Sequence, residues 1–223
     1  VPRVIDRWDG DGEIPGALLL SLLPGEPANG PVSPVLARGM GALLARMHRV
    51  RLARFGELDP SLPGESGWWE SIHAAYQRWK PLCADVLPSA LYKRVVARYG
   101  RLFRHLPAPD GPCATHADYR PGNILVRQEQ ITGLIDFESA RGGSGDYDFT
   151  KIKESVWDVY PGTREAFLDG YASVRPLPPI EETLPLYELQ NAFGGIAWCV
   201  RRGKQQDPFF AHNLARLKEL VGD

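Results

Sequence analysis

One break in pattern constrains this chain most. Between Cys113 and Phe137 helical periodicity gives way to a turn, Tyr119-Arg120-Pro121-Gly122, followed by two short β-rich runs, Ile124 to Arg127 and Gln130 to Phe137. On either side the spacing is helical. Upstream, Leu36, Met40, Leu43, Leu44 and Met47 recur at i, i+3, i+4 intervals from Pro34 to Val50, with Ser33 placed as N-cap. A second helix is expected from Ser66 to the Lys80-Pro81 boundary on Trp69, Ile72, Tyr76 and Trp79, and a third from Ser89 to His105 on Leu91, Val95, Val96, Tyr99 and Leu102. The chain opens with a hairpin pattern, Arg3 to Trp8 and Ala17 to Leu23, joined by Asp9-Gly10-Asp11-Gly12-Glu13. Beyond Gly145 it is helical again, broken at Pro161-Gly162 and across Arg175 to Pro179. A hairpin, helices, a loop with a small hairpin and more helices read as α+β with the chemistry on loops.

Bulk properties narrow the class of partner. The 223 residues are 43% hydrophobic and 24% charged, the make-up of a globular protein. With 26 Lys plus Arg against 27 Asp plus Glu, the balance lacks the footprint of a nucleic-acid or anionic-membrane binder, so a small molecule is the expected partner. Cys83, Cys113 and Cys199 lie far apart without C-x-x-C spacing and cannot all pair, which fits buried, reduced thiols in a cytoplasm. The longest apolar stretch, Ala17 to Leu23, is interrupted by Ser21 and stopped by Pro24, well short of the roughly 20 residues a spanning helix needs. Val1-Pro2-Arg3 has neither an initiator Met nor the features of a signal peptide.

Four polar side chains stand in and beside the loop: His116, Asp118, Asn123 and, after the second β run, Asp136. Alone, each has an ordinary explanation, because Asp118 suits an Asx-turn before Pro121-Gly122, Asn123 can satisfy turn backbone and Asp136 can end a strand. Together they match what phosphoryl transfer requires: a carboxylate to accept the proton of an attacking hydroxyl, and hard oxygen ligands to hold magnesium against nucleotide phosphates. Asn123 precedes one β run and Asp136 follows its partner, so a hairpin would bring both to one mouth.

His116-Ala117-Asp118-Tyr119-Arg120-Pro121-Gly122-Asn123 resembles the H-x-D-x-x-x-x-N catalytic loop of the aminoglycoside phosphotransferase family, which shares it with protein kinases. Leu134-Ile135-Asp136-Phe137-Glu138 resembles the family's metal-binding segment, Gly145-Asp146-Tyr147-Asp148-Phe149 its Gly-Asp stretch, and Leu18 to Gly25 its strand and hinge. The resemblance implies a protein-kinase-like fold and an ATP- or GTP-dependent O-phosphotransferase using Mg2+. In it Asp118 is the base, Asn123 and Asp136 hold the metal, the backbone of Ser21, Leu22 and Leu23 receives the nucleotide base, and His116 braces backbone. Asp148 supports the loop, with Arg120 as a partner. Residues 1–24 would then be the remnant of an N-terminal β lobe with its hinge, and 25–223 the C-terminal catalytic and substrate-binding lobe. Ala117 and Tyr119 replace residues more usual beside the base, which puts substrate choice in question. No Gly-rich loop, phosphate-gripping Lys or Glu partner precedes the hinge, and the first Lys is Lys80, so roughly the first third of a family member is expected to lie outside this sequence.

From Gly145 to Gln190 nine acidic residues face four basic ones, which favours a cationic, hydroxylated substrate such as an aminoglycoside, with antibiotic resistance as the implied role. A solvated acidic surface would read the same way. Amino-alcohols, sugars and neutral macrolides stay open, as does a non-catalytic kinase-like binding module. Of the tryptophans, Trp157 and Trp198 are the candidates for a pocket wall, and Trp68, Trp69 and Trp79 are expected in the core.

Overall fold

A computed structural model describes residues 1–59, 61–62, 64 and 67–222. The chain opens with the antiparallel pair β1 (Val4–Gly10) and β2 (Pro15–Leu20), followed by β3 (Glu26–Pro27), α1 (Pro34–His48), β4 (Gly56–Glu57), α2 (Trp68–Ala84), α3 (Ser89–Phe103) and β5 (Cys113–Thr115). A 3-10 turn, Pro121–Asn123, leads into β6 (Ile124–Arg127), β7 (Gln130–Leu134) and β8 (Arg141–Gly143). A second 3-10 turn, Gly145–Asp148, is followed by α4 (Phe149–Ile152), a π-helical turn at Lys153–Trp157, α5 (Thr163–Ala172), α6 (Ile180–Arg201) and α7 (Pro208–Val221). The fold is α+β and protein-kinase-like.

Several boundaries differ from the sequence reading, each for a local reason. β2 stops at Leu20, not Leu23, because Ser21 closes the hairpin by donating its N–H to Arg3 O (2.8 Å) while Pro24 has no donor to continue a ladder. α2 runs through Pro81 to Ala84, since a proline so near the helix end removes only one late hydrogen bond. The expected start of that helix at Ser66 lies outside the described residues. β7 ends at Leu134 because Asp136 turns to φ 67°, outside extended geometry.

The chain divides into two compact units, the first made of 1–50, 116–140 and 151–177, the second of 51–115, 141–150 and 178–223. In the first, Ser33 Oγ caps α1 by accepting from Leu36 N (3.1 Å), and α1 buries Leu36, Met40, Leu44 and Ala45. α1 packs closely on α5, and glycine makes that possible: a Cβ at Gly41 would collide with Phe167 O, and one at Gly170 with Arg38 O. His48 Nδ1 and Tyr171 Oη share a buried hydrogen bond of 2.9 Å across the same pair of helices. β3, β6 and β7 form an antiparallel sheet in that order, with Ile124 opposite Leu134.

The second unit is built on α2, α3, α6 and α7, with β4, β8 and β5 as a small sheet. Trp68, Tyr76, Leu91, Val95, Tyr99, Leu186, Phe193 and Leu217 fill its core. Asp146 turns inward, accepting from Tyr187 Oη (3.3 Å), which itself accepts from Trp68 Nε1 (2.7 Å). Burial raises the Asp146 carboxyl above the ordinary range. All three cysteines are buried thiols outside any disulfide, and desolvation pushes the Cys83 thiol up to about 12. Among the described residues no helix is long and apolar enough to cross a membrane.

Candidate functional site

His116 to Asp136 lies within the first unit. The turn forms where the sequence placed it, because Pro121 takes the first position of a 3-10 helix, where a missing N–H is harmless, and extended Arg120 precedes it. Asn123, at the end of that turn, is buried, and the rest of the loop is arranged around its side chain. Its Nδ2 donates to Asp118 Oδ2 and to Asp118 O, both at 2.9 Å. The amide nitrogen is thus committed to Asp118, which leaves Oδ1, a hard oxygen, as the remaining polar atom of the Asn123 side chain.

Asp136 is located by its predecessor. Ile135 donates its N–H to Asn123 O (3.0 Å), and its carbonyl accepts from His116 Nε2 (2.9 Å). A carbonyl partner requires the proton on Nε2, so this imidazole nitrogen is a donor. The ring also packs against Phe137 (centroids 4.9 Å apart) and edge-on to Tyr119. Tyr119 Oη in turn donates to Met40 O (2.8 Å), tying the loop to α1. The N–H and the carbonyl of Ile135 thus anchor the two peptide units that lead into Asp136, whose own side chain is exposed.

Two residues here have backbone that L side chains rarely adopt, Ala117 (φ 62°) and Asp136 (φ 67°). Such conformations persist only where surrounding bonds over-determine them, and they concentrate at functional sites. The structure thus brings His116, Asp118, Asn123 and Asp136 onto one loop and one hairpin end. Asp148 is fully buried on the 3-10 turn of the second unit. Arg120 pairs with Asp118, Nε to Oδ2 at 2.8 Å. That pairing was not drawn from the sequence, although an arginine two residues past the carboxylate was the available signal.

Ser21 N–H is engaged by Arg3 O, and Ser21 Oγ accepts from Arg3 N (2.8 Å), whereas Leu22 is 96% exposed. The Leu23 side chain lies over Gly133, and Thr132 Oγ1 donates to Pro24 O, so this segment is seated on β7. Clefts of about 590 and 540 Å³ open elsewhere in the unit, one between Gly25–Pro31 and the β6–β7 turn, the other between α1 and β7. Trp157 packs edge-on to Phe167 with Arg164 over its ring, and Trp198 lies beside Phe209 with Arg202 and Lys204 over its ring, so each is engaged by its own helical neighbours. Among the described residues no group of three or more His, Cys, Asp or Glu converges as a metal cage. An Asn and an Asp oxygen are the donor set that suits a cation keeping most of its ligands as water and phosphate.

The profile of the family described as "Phosphotransferase enzyme family" matches residues 1–182. A homoserine kinase of Rhizobium rhizogenes is 32% identical over 196 residues, covering 81% of this chain and 57% of the relative. One of Agrobacterium fabrum is 30% identical over 203 residues, covering 86% and 60%. The chain thus spans a little over half the length of these relatives. Among solved structures, a thermostable mutant of aminoglycoside phosphotransferase APH(4)-Ia in ternary complex with ADP and hygromycin B superposes with a TM-score of 0.74 at 18% identity, covering 99% of this chain and 76% of that one. Macrolide 2'-phosphotransferase MphH from Brachybacterium faecium gives 0.63 at 18% identity, covering 97% and 72%. At such identities these likenesses speak for the fold.

Proposed function

Because this chain belongs to the phosphotransferase enzyme family, we propose that it carries the catalytic loop of an ATP- or GTP-dependent kinase that phosphorylates the hydroxyl of a small amine. The observation that carries this reading is the hydrogen-bonded set of Asp118, Asn123 and Ile135, which holds a carboxylate beside an amide oxygen and sets Asp136 at the adjoining strand end. Asp118 orients the acceptor hydroxyl and takes its proton. Asn123 Oδ1 and the Asp136 carboxylate are the ligands for Mg2+, which when bound neutralises charge on the nucleotide phosphates. His116 keeps Ile135, and so Asp136, in place. The backbone of Leu22 and Leu23, with the Ser21 carbonyl, receives the nucleotide base, and residues 1–24 are the end of the small lobe with its hinge.

For the substrate, the relatives at 30% identity or above favour a metabolic amino-alcohol such as homoserine over an antibiotic, whose support is a likeness of fold. The acidic excess from Gly145 to Gln190 suits the ammonium group that both classes carry.

The test is ADP or GDP release by the full-length protein, with homoserine, choline, hygromycin B and a macrolide as acceptors, with magnesium and with EDTA. Magnesium-dependent turnover of homoserine is expected. Turnover of antibiotics alone would move the role to resistance, and magnesium-dependent nucleotide binding without turnover of any acceptor would make the protein a binding module.

A further inference from the structure

Resting on the kinase reading above, we infer that Asp118 works through one oxygen only, Oδ1, and that Arg120 is the positioning residue that makes the choice. A carboxylate oxygen has two in-plane acceptor sites. Both on Oδ2 are filled, one by Asn123 Nδ2 at 2.9 Å and one by Arg120 Nε at 2.8 Å. Among the described residues Oδ1 accepts no hydrogen bond. The carboxylate cannot rotate without breaking two bonds, one of them charge-assisted. Oδ1 is then the atom presented to an acceptor hydroxyl. It takes the proton as the acceptor oxygen bonds to the terminal phosphorus, while the bridging P–O bond breaks and its electron pair leaves with the nucleoside diphosphate.

Arg120 is suited to this by what lies next to it. The ideal position of a Cβ on Gly122 is 2.6 Å from Arg120 Nη1, so the guanidinium occupies the space that glycine leaves. Gly122 sits in the 3-10 turn without a left-handed φ, so alanine is conformationally acceptable there and its methyl would meet the far end of a flexible side chain. Gly122→Ala should therefore fold normally and push Arg120 off Oδ2 without altering either charged residue. This lever is independent of replacing the arginine itself.

The experiment is steady-state kinetics on full-length wild type, Arg120→Ala, Gly122→Ala and the double variant, with thermal melts alongside. Loss of placement of a reacting group is expected to lower kcat about 10- to 100-fold in Arg120→Ala, with KM for both substrates within about threefold. Gly122→Ala should lose kcat in the same sense, and the double variant should be no slower than Arg120→Ala, since both changes remove one interaction. Added guanidinium should restore part of kcat in Arg120→Ala. Losses that multiply in the double variant, an unchanged kcat in Arg120→Ala, or a loss confined to KM would overturn the assignment. Failure of the kinase reading itself would show separately, as no turnover by wild type.

Discussion

Two hairpins of the first unit obey the same local rules and end in opposite circumstances. In β1–β2 the chain turns with Gly10 (φ 83°) and Gly12 (φ 92°), and Asp11 Oδ1 accepts from the N–H groups of Glu13 and Ile14, so the backbone is relaxed. Yet nearly every side chain is exposed, including Trp8, Leu18 and Leu19. In β6–β7 the turn is made by Gln128 (φ 52°) and Glu129 (φ 59°), and Ala117 and Asp136 beside its far end are also left-handed. This hairpin has Ile124 and Leu134 buried and β3 along its edge. The paired φ > 0 of Gln128 and Glu129 is the turn geometry a tight hairpin favours, whereas Ala117 and Asp136 hold left-handed backbone outside any such turn, next to the polar constellation.

The comparison can be broken most decisively at the chemistry. Asp118→Asn should lower kcat by about 10²- to 10⁴-fold while leaving the melting temperature near wild type, because an amide cannot accept the hydroxyl proton. Steady-state kinetics with matched melts decide it, and activity close to wild type would take the chemistry away from this hairpin. Next in size, Ile124→Ala should cost about 2–5 kcal/mol in urea denaturation, as a fully buried branched side chain leaves a cavity. Ala117→Gly should stabilise by about 1 kcal/mol, since glycine alone reaches a φ of 62° without steric penalty; no gain would mean that Ala117 is not strained. The smallest effect belongs to the other hairpin. In residues 1–223 by themselves, Leu19→Ser should stay within about 0.5 kcal/mol in the same assay and should reduce self-association in light scattering, because it removes an exposed apolar residue from the β1–β2 pair. A large destabilisation there would show that the hairpin is better packed than its exposure suggests.

How much of this was legible in the sequence follows from the range of the forces involved. α1 could be read because Ser33 and the Leu36–Met47 spacing are local, and so could the turn at Pro121-Gly122 and the β6–β7 pair. The two- and three-residue strands β3, β4, β5 and β8 could not, because each exists only through a partner distant in the chain, as Gly56 does opposite Gly142. The four polar residues were found by their spacing along the loop. Their geometry was not, since it depends on the backbone of Ile135, an apolar residue that carries no sequence signal for hydrogen bonding. The Arg120–Asp118 pair was hidden for a related reason: spacing indicates which groups are near but not which way an arginine folds back.

The interleaving of the two units has a consequence for synthesis. The chain crosses from one unit to the other five times, and the first needs Lys151–Leu177 before it is whole. α1 leaves the ribosome long before α5, its packing partner, exists. At ordinary translation rates the interval is on the order of ten seconds. During that time the face of α1 holding Gly41 and His48 has no α5 to cover it, and the loop of Asp118 emerges before its unit can close. Nascent chains arrested before α5 should therefore engage holdase chaperones, and release of the last residues of α5 marks the earliest moment at which the site can be assembled.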